Sequence, residues 1–314
     1  MSNESVIYKS FHKSVITLVC ELSETSYVFG TGFFVTQKGD FITAYHNICK
    51  VKNIFAYCEG KLVKAKMIRE DIRADIALLK IDLPHGYNSK CLSFDTGAST
   101  GDKCYVIGSC ADMPSLMCTT GTIISKNCVL GTTIDSLLCS IKIVKGLSGS
   151  PILNESGYCI GIMSWFLERA NASGGVGLRI LKESVKRLLG NDEYRKYTLG
   201  MTLRPLLLQD ILANNLLTKI DDFHGELVGE MVGYIGAIKS KDILLEINGE
   251  KVGAEYVSSE MLCYFPLKKK VVVKYLSYEG KFWSEPKYCD VQLQRAPEEL
   301  NRFIIGKAIC KYVL

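Results

Sequence analysis

The stretch Gly146-Leu147-Ser148-Gly149-Ser150-Pro151 carries a serine between two glycines, with an apolar run after it. A serine hydroxyl is a weak nucleophile near neutral pH and attacks a carbonyl only with a base beside it. It also needs backbone N–H groups aimed at the oxyanion that forms, and the N–H groups of Gly146 and Ser148 are placed for that. Glycines at 146 and 149 permit such a turn because they adopt backbone angles closed to other residues. Glycine–serine loops are common between strands, so the pattern gains weight only from partners elsewhere in the chain. Two partners qualify. The chain has four histidines, and His46 alone follows a strand-like Thr43-Ala44 ending. Asp75 stands just ahead of Ile76-Ala77-Leu78-Leu79, where a carboxylate is costly to bury without a partner. Asp71 and Asp82 flank the same run and read as solvated strand ends.

The elements that must position these groups read as β-strands. Apolar, β-branched runs bounded by glycine and polar residues occupy 13–35, 41–44, 54–58, 62–68 and 76–81. A second set is expected at 103–107, 121–125, 128–133, 137–143, 151–153 and 158–164, with 174–180 as its last strand. Leu181, Val185, Leu188 and Leu189 recur at helical spacing before Gly190, which predicts an amphipathic helix with a C-terminal stop. The stretch 110–118 reads as a loop.

Three segments together, Thr43-Ala44-Tyr45-His46, Ala74-Asp75-Ile76-Ala77-Leu78-Leu79 and Gly146–Pro151, resemble the motifs of the trypsin-like serine proteases. Gly30-Thr31-Gly32-Phe33-Phe34-Val35, Val106-Ile107-Gly108 and Thr120-Gly121-Thr122-Ile123-Ile124-Ser125 resemble the HtrA (Deg) branch. The resemblance covers about 10–190 and implies a mainly β protein: two packed six-stranded β-barrels with the site between them. It implies a serine endopeptidase in which Ser148 attacks, His46 shuttles the proton, and Asp75 orients His46. The oxyanion would be held by Gly146 and Ser148. Leu147 stands where secreted trypsins carry the acid that anchors a cut N-terminus, so activation by N-terminal cleavage is not expected. Ser150 replaces the glycine usual in HtrA proteins and is found in some viral proteases of this fold.

The resemblance puts the specificity pocket beside 174–180, with Val176, Leu178 and Arg179 on that strand. Lys142 lies six positions before Ser148, where trypsins place the charged base of the pocket. An inward Lys142 or Arg179 would select acidic residues at the cleaved bond. The alternation Lys142-Ile143-Val144 instead points Lys142 to solvent.

A second module begins after 191–196. The hairpin signal Asn248-Gly249 follows Asp242-Ile243-Leu244-Leu245-Glu246-Ile247. A strand is expected at 225–228, a short helix or loop at 206–217, a helix at 253–265 and a strand at 270–276. The arrangement resembles a PDZ domain of the HtrA type, which implies domains at 1–190 (protease) and 195–296 (PDZ), with a tail at 297–314. In a PDZ domain an extended C-terminal peptide joins a sheet edge while backbone N–H groups capture its carboxylate. That loop maps onto Tyr197-Thr198-Leu199-Gly200. The tail resembles the start of a second PDZ domain and ends in Tyr312-Val313-Leu314, an apolar sequence such a groove accepts.

Composition narrows the partners. The chain of 314 residues has a net charge of +5, and its one dense basic run is Lys268-Lys269-Lys270. A solvated strand end explains that run better than a nucleic-acid site. No apolar stretch is long enough to span a bilayer, and Ser14–Cys20 is too short for a secretory leader. There is no C-x-x-C pair for zinc and no G-x-x-x-x-G-K-[ST] loop for a nucleotide, so no metal or cofactor is expected. Thirteen cysteines without a leader read as reduced thiols, which predicts a cytoplasmic, reducing compartment. HtrA proteins commonly form trimers through N-terminal aromatics. Tyr8 and Phe11 are candidates for that role, and equally for the core of the first strand. Partners are then protein or peptide substrates and apolar C-termini. The rival readings are a non-catalytic chaperone or scaffold using the PDZ groove, and a dedicated, for example viral, processing protease.

Overall fold

A computed structural model describes residues 2–58, 60–95, 98–110, 113–130, 133–142, 144–167, 171–190, 197–220, 224–231, 237–253, 261–262, 270–280 and 282–295. The chain divides into two compact units, one built on 1–126 and 136–192, the other on 193–300 with 127–135.

The first unit opens with helix α1 (Asn3–Phe11), capped at its start by the Ser2 side chain. Tyr8 and Phe11 therefore lie on a helix and not on the first strand. Phe11 lies directly over Gly157, whose missing side chain makes room for the ring.

Six strands follow: β1 (Val15–Ser23), β2 (Ser26–Phe34), β3 (Asp40–Ala44), β4 (Asn53–Cys58), β5 (Lys61–Asp71) and β6 (Ile76–Lys80). They close into a barrel in the order β1-β2-β3-β6-β5-β4. Closure leaves no edge strand. Alternate residues point inward, so Ile16, Leu18 and Cys20 of β1 meet Phe34, Phe41, Ala56, Ala77 and Leu79 in one core. Each fully buried phenylalanine or leucine there contributes roughly 2–3 kcal/mol.

The second barrel is β7 (Lys103–Cys110), β8 (Met113–Leu130), β9 (Thr133–Cys139), β10 (Pro151–Leu153), β11 (Cys159–Leu167) and β12 (Ala172–Gly177). It closes as β10-β11-β12-β9-β8-β7. Ile123, Leu137, Ile141, Leu147, Ile152 and Met163 share its core. Two barrels of six strands are what the resemblance implies.

Two expectations are corrected here. Of the segment 110–118 expected as a loop, Cys110 ends β7 and 113–118 belong to β8, the two strands pairing from Cys110–Met113 through Ile107–Cys118. The register shift at Ser109/Cys110 lets the ladder pass Pro114, which cannot donate to it. The strand expected at 174–180 ends at Gly177, and helix α2 (Leu178–Leu189) starts there, ending at Gly190. Leu178, Leu181, Val185 and Leu188 share one helical face, so helical periodicity overrides the strand reading three residues earlier than expected.

The second unit holds a two-stranded pair, β13 (Tyr197–Thr198) with β20 (Gln294–Arg295). It also holds a sheet in the order β14-β15-β16-β18-β19, made of β14 (Met201–Pro205), β15 (Glu226–Met231), β16 (Ile243–Ile247), β18 (Lys270–Leu276) and β19 (Lys287–Gln292). β17 (Glu250–Lys251) pairs with β16 across Asn248-Gly249, both with positive φ (51° and 85°), as a two-residue hairpin turn requires. Helix α3 (Leu208–Ala213) falls within 206–217. Most of the helix expected at 253–265, and the tail at 297–314, lie outside the described residues.

Candidate active site

His46 sits in a single helical turn, Tyr45–Asn47, that terminates β3. Asp75 occupies the turn between β5 and β6. Its backbone takes φ 53°, a conformation costly for any side chain other than glycine's. That turn is pinned from several sides. Asp75 N–H donates to Ile72 O at 3.2 Å, and Tyr45 N–H donates to Asp75 O at 2.9 Å.

The carboxylate is equally committed. Asp75 Oδ1 accepts the His46 backbone N–H at 2.9 Å, and Oδ2 lies 2.6 Å from His46 Nδ1. The two side chains are only 9% and 8% exposed, which keeps the pair out of competing water. With Nδ1–H donated to the carboxylate, the lone pair of the neutral ring sits on Nε2. Burial pulls the His46 pKa down, but the charge of Asp75 and its hydrogen bond outweigh it, and the net shift is upward from 6.5.

A further residue joins them. The Ser164 hydroxyl donates to Asp75 Oδ2. Ser164 is the extra residue of a bulge in β11, where the register with β12 slips between Met163 and Trp165. A bulge re-aims a side chain, here from the barrel wall onto the carboxylate. The sequence reading missed it. The available signal was a lone serine inside Cys159-Ile160-Gly161-Ile162-Met163-Ser164-Trp165-Phe166, since a buried hydroxyl in an apolar strand needs a partner.

The serine turn lies between β9 and β10. Gly146 has φ 99° and Gly149 φ 86°, so both glycines take the left-handed angles that their type permits. Gly149 N–H donates to Met163 O at 2.7 Å, and Ser150 N–H to Leu147 O at 2.9 Å. Among the described residues no acceptor takes the N–H of Gly146 or of Ser148. The Ser148 carbonyl receives Asn47 Nδ2 at 2.8 Å, which brings the turn carrying His46 onto the turn carrying Ser148. The Ser148 hydroxyl makes no hydrogen bond to His46 among the described residues. Such bonds are often long without substrate and tighten when it binds.

The pocket expectations fare unevenly. Lys142 is exposed beyond the end of β9, as its alternation indicated. Leu178 and Arg179 open helix α2 and do not lie on the pocket strand. Val176 remains on β12, buried and paired with Ile162 and Ser136. In the second unit, Leu199 is buried in the core, and Gly200 (φ 73°) directs its N–H to Thr198 Oγ1 at 3.0 Å. Among the described residues no cluster of side chains suited to a metal occurs, and no helix is long and apolar enough to cross a membrane.

The chain is similar to several known proteins. Residues 30–162 match the model of the trypsin-like peptidase domain. A probable periplasmic serine endoprotease, DegP-like, from Rhizobium meliloti is 26% identical over 234 residues, covering 71% of this chain and 45% of that protein. Serine protease HTRA1A of Danio rerio is 24% identical over 272 residues, covering 79% of this chain and 54% of that one. The chain thus spans about half the length of the curated relatives it matches. Among solved structures, the HtrA-type protease AlgW with tripeptide superposes with a TM-score of 0.75 at 19% identity, covering 94% of this chain and 98% of that one.

Several relatives are named as periplasmic, which overturns the cytoplasmic expectation. The physical reason is visible in the core. Burial pushes the Cys20 and Cys159 thiols up to about 12, leaving almost no thiolate to oxidise. A reduced, buried thiol therefore says nothing about its compartment. In its matched segment, its relatives and its two closed barrels, the chain is similar to the HtrA/DegP-type trypsin-like serine proteases.

Proposed function

We propose that the chain cleaves peptide bonds through Ser148, His46 and Asp75. The observation that carries this reading is the buried 2.6 Å contact of His46 Nδ1 with Asp75 Oδ2, joined through Asn47 to the Ser148 turn. Ser148 Oγ attacks the scissile carbonyl as His46 Nε2 takes its proton. The same nitrogen then passes that proton to the leaving amine. Asp75 holds the tautomer and stabilises the imidazolium. The N–H groups of Gly146 and Ser148 receive the oxyanion, one such donor contributing about 3 kcal/mol of barrier lowering. A water molecule, activated by His46 in turn, hydrolyses the acyl-enzyme.

The protease domain of this reading is 1–190, and 195–296 forms a PDZ-type module. Support for the module comes from β14 at the edge of its sheet, directly after the Tyr197–Gly200 turn. An edge strand offers unpaired backbone groups to an extended peptide. Apolar C-termini are its proposed ligands, and partly unfolded proteins the proposed substrates.

The test compares the wild-type protein with Ser148→Ala on unfolded casein. Cleavage by the wild type alone supports the reading. Equal background in both would favour a non-catalytic binder. A pull-down with Ser148→Ala as a trap then separates quality control from dedicated processing, by whether it retains many proteins or one.

A further inference from the structure

Thr31 is fully buried on β2, and each of its polar groups is engaged. Its backbone N–H donates to the Ser148 carbonyl at 2.9 Å. Its hydroxyl donates to the Gly146 carbonyl at 2.6 Å and accepts the Ser109 N–H at 2.8 Å. Its carbonyl accepts the Thr43 hydroxyl at 2.6 Å. One residue of the first barrel therefore grips the serine turn at two carbonyls. These carbonyls belong to the peptide planes on either side of the Leu147–Ser148 unit. Because each peptide is planar, fixing both flanking planes restricts the unit between them, which carries the Ser148 N–H.

The second grip comes from Asn47. Its amide donates to the Ser148 carbonyl at 2.8 Å and to Thr43 Oγ1 at 3.1 Å. The carbonyl thus has a donor for each lone pair. Room for the amide exists only because residue 30 is glycine: a Cβ there would lie 2.7 Å from Asn47 Nδ2. Behind Thr31, the Ser109 hydroxyl lies 2.8 Å from Thr17 Oγ1 and 2.9 Å from the Gly30 carbonyl. The result is a buried run of hydroxyls from β1 through β7 and β2 to the serine turn, with no charge in it.

We infer that Thr31 and Asn47 are positioning residues that hold the Gly146–Ser148 turn in its oxyanion-receiving shape and in register with His46. The inference rests on the hydrolytic reading above. Thr31→Val replaces the hydroxyl by a methyl of like size, so it frees the Gly146 carbonyl with little change in volume. Thr31→Ser keeps the hydroxyl. Losing an oxyanion donor outright costs about 10²–10³-fold in kcat, and loosening the turn that carries it costs a part of that.

The experiment measures kcat and KM on a fluorogenic peptide, inhibition by the matching peptide boronic acid, and deuterium uptake across 144–150. For Thr31→Val the expected result is a kcat about tenfold to hundredfold lower, with KM within about twofold. Boronate affinity should fall by the same factor, uptake should quicken, and Thr31→Ser should restore all three. Unchanged kcat and boronate affinity, a loss confined to KM, or a Ser variant as poor as Val would overturn the inference. Should Thr31→Val not fold, Asn47→Leu leaves the hydroxyl run intact and is read by the same criteria. A wild type without Ser148-dependent cleavage would sink only the hydrolytic reading. Deuterium uptake would still decide whether these side chains hold the turn.

Discussion

Replacing Asp75 by asparagine removes a charge while keeping the shape, which makes it the sharpest probe of the site. In the native arrangement Oδ2 takes Nδ1–H at 2.6 Å and Oδ1 takes the His46 N–H at 2.9 Å. An asparagine can satisfy only one of these. If its oxygen stays on the backbone N–H, its NH₂ faces Nδ1, and the ring proton must move to Nε2. The nitrogen meant to take the Ser148 proton then carries one already. The expected loss in kcat is about 10⁴-fold, or about 5.4 kcal/mol of barrier.

A second consequence concerns pH. Of the influences on His46, burial lowers its pKa while the charge and hydrogen bond of Asp75 raise it. Without the latter two, burial acts alone, and the pKa should drop below 6.5. The acid limb of kcat/KM, above 6.5 in the wild type, should move below 6.5 on the lowered plateau. Stability follows the same linkage. A folded pKa above the unfolded value gives stabilisation that is complete below about 6.5 and fades as pH rises through the folded pKa. The gap in Tm between wild type and variant should therefore be wider at pH 5.5 than at pH 9. A variant within tenfold of wild-type kcat, or an acid limb that stays put, would refute the assigned roles.

Gly108→Ala should lose about 1–3 kcal/mol in urea unfolding, because its Cβ overlaps Ser150 Oγ. Adding Ser150→Gly should recover only part of that loss: it removes the closest clash and a hydroxyl buried without a partner, but the new Cβ still lies 2.9 Å from Leu147 Cδ2 and from Thr31 Oγ1. Ser184→Ala should destabilise by about 1–3 kcal/mol, because Asp71, 1% exposed, loses one of its hydrogen bonds, the Ser184 hydroxyl to Oδ2 at 2.8 Å. Its kcat should fall as well, because Asp71 also takes the Ala74 N–H at 3.3 Å and so braces the turn that presents Asp75. An aromatic disulfide reagent at pH 8, followed by mass spectrometry, should label exposed Cys49 in the folded protein and leave Cys20 and Cys159, raised to about 12, untouched until unfolding.

What the sequence made legible was the placement of residues that stand out in short strings. His46, Asp75 and the serine turn each stand where a strand pattern breaks, and a glycine or a lone charge at such a break is informative in itself. The Asn248-Gly249 turn was legible for the same reason, because both residues must take positive φ. What stayed hidden depends on partners far along the chain. Thr31 reaches Gly146 across 115 positions, and Ser164 reaches Asp75 across 89. A hydroxyl inside a strand has no periodic signature, and only the closed barrels decide whether it meets solvent, backbone or a carboxylate. Asp71 illustrates the opposite error. At a strand end it looked solvated, yet α2 covers it and supplies Ser184. The loop expected at 110–118 was a further miss, because a register slip that lets a ladder continue past Pro114 leaves no mark in the sequence.

These hidden residues share one physical property that bears on the mechanism. The groups that would react sit at strand ends and turns, where the chain has the freedom to bring three distant segments together. That same freedom would blur their geometry, and misplacement by about 1 Å costs about a hundredfold in rate. Strained conformations such as Asp75 at φ 53° persist only when the surroundings over-determine them. Around Asp75 the surroundings are the Ile72 carbonyl, the N–H groups of Tyr45 and His46 and the Ser164 hydroxyl, with Asp71 bracing the same turn through the Ala74 N–H. Around the serine turn they are neutral donors, the N–H and hydroxyl of Thr31 and the amide of Asn47. Directional hydrogen bonds thus fix both turns, while Asp75 is the charge that raises the His46 pKa.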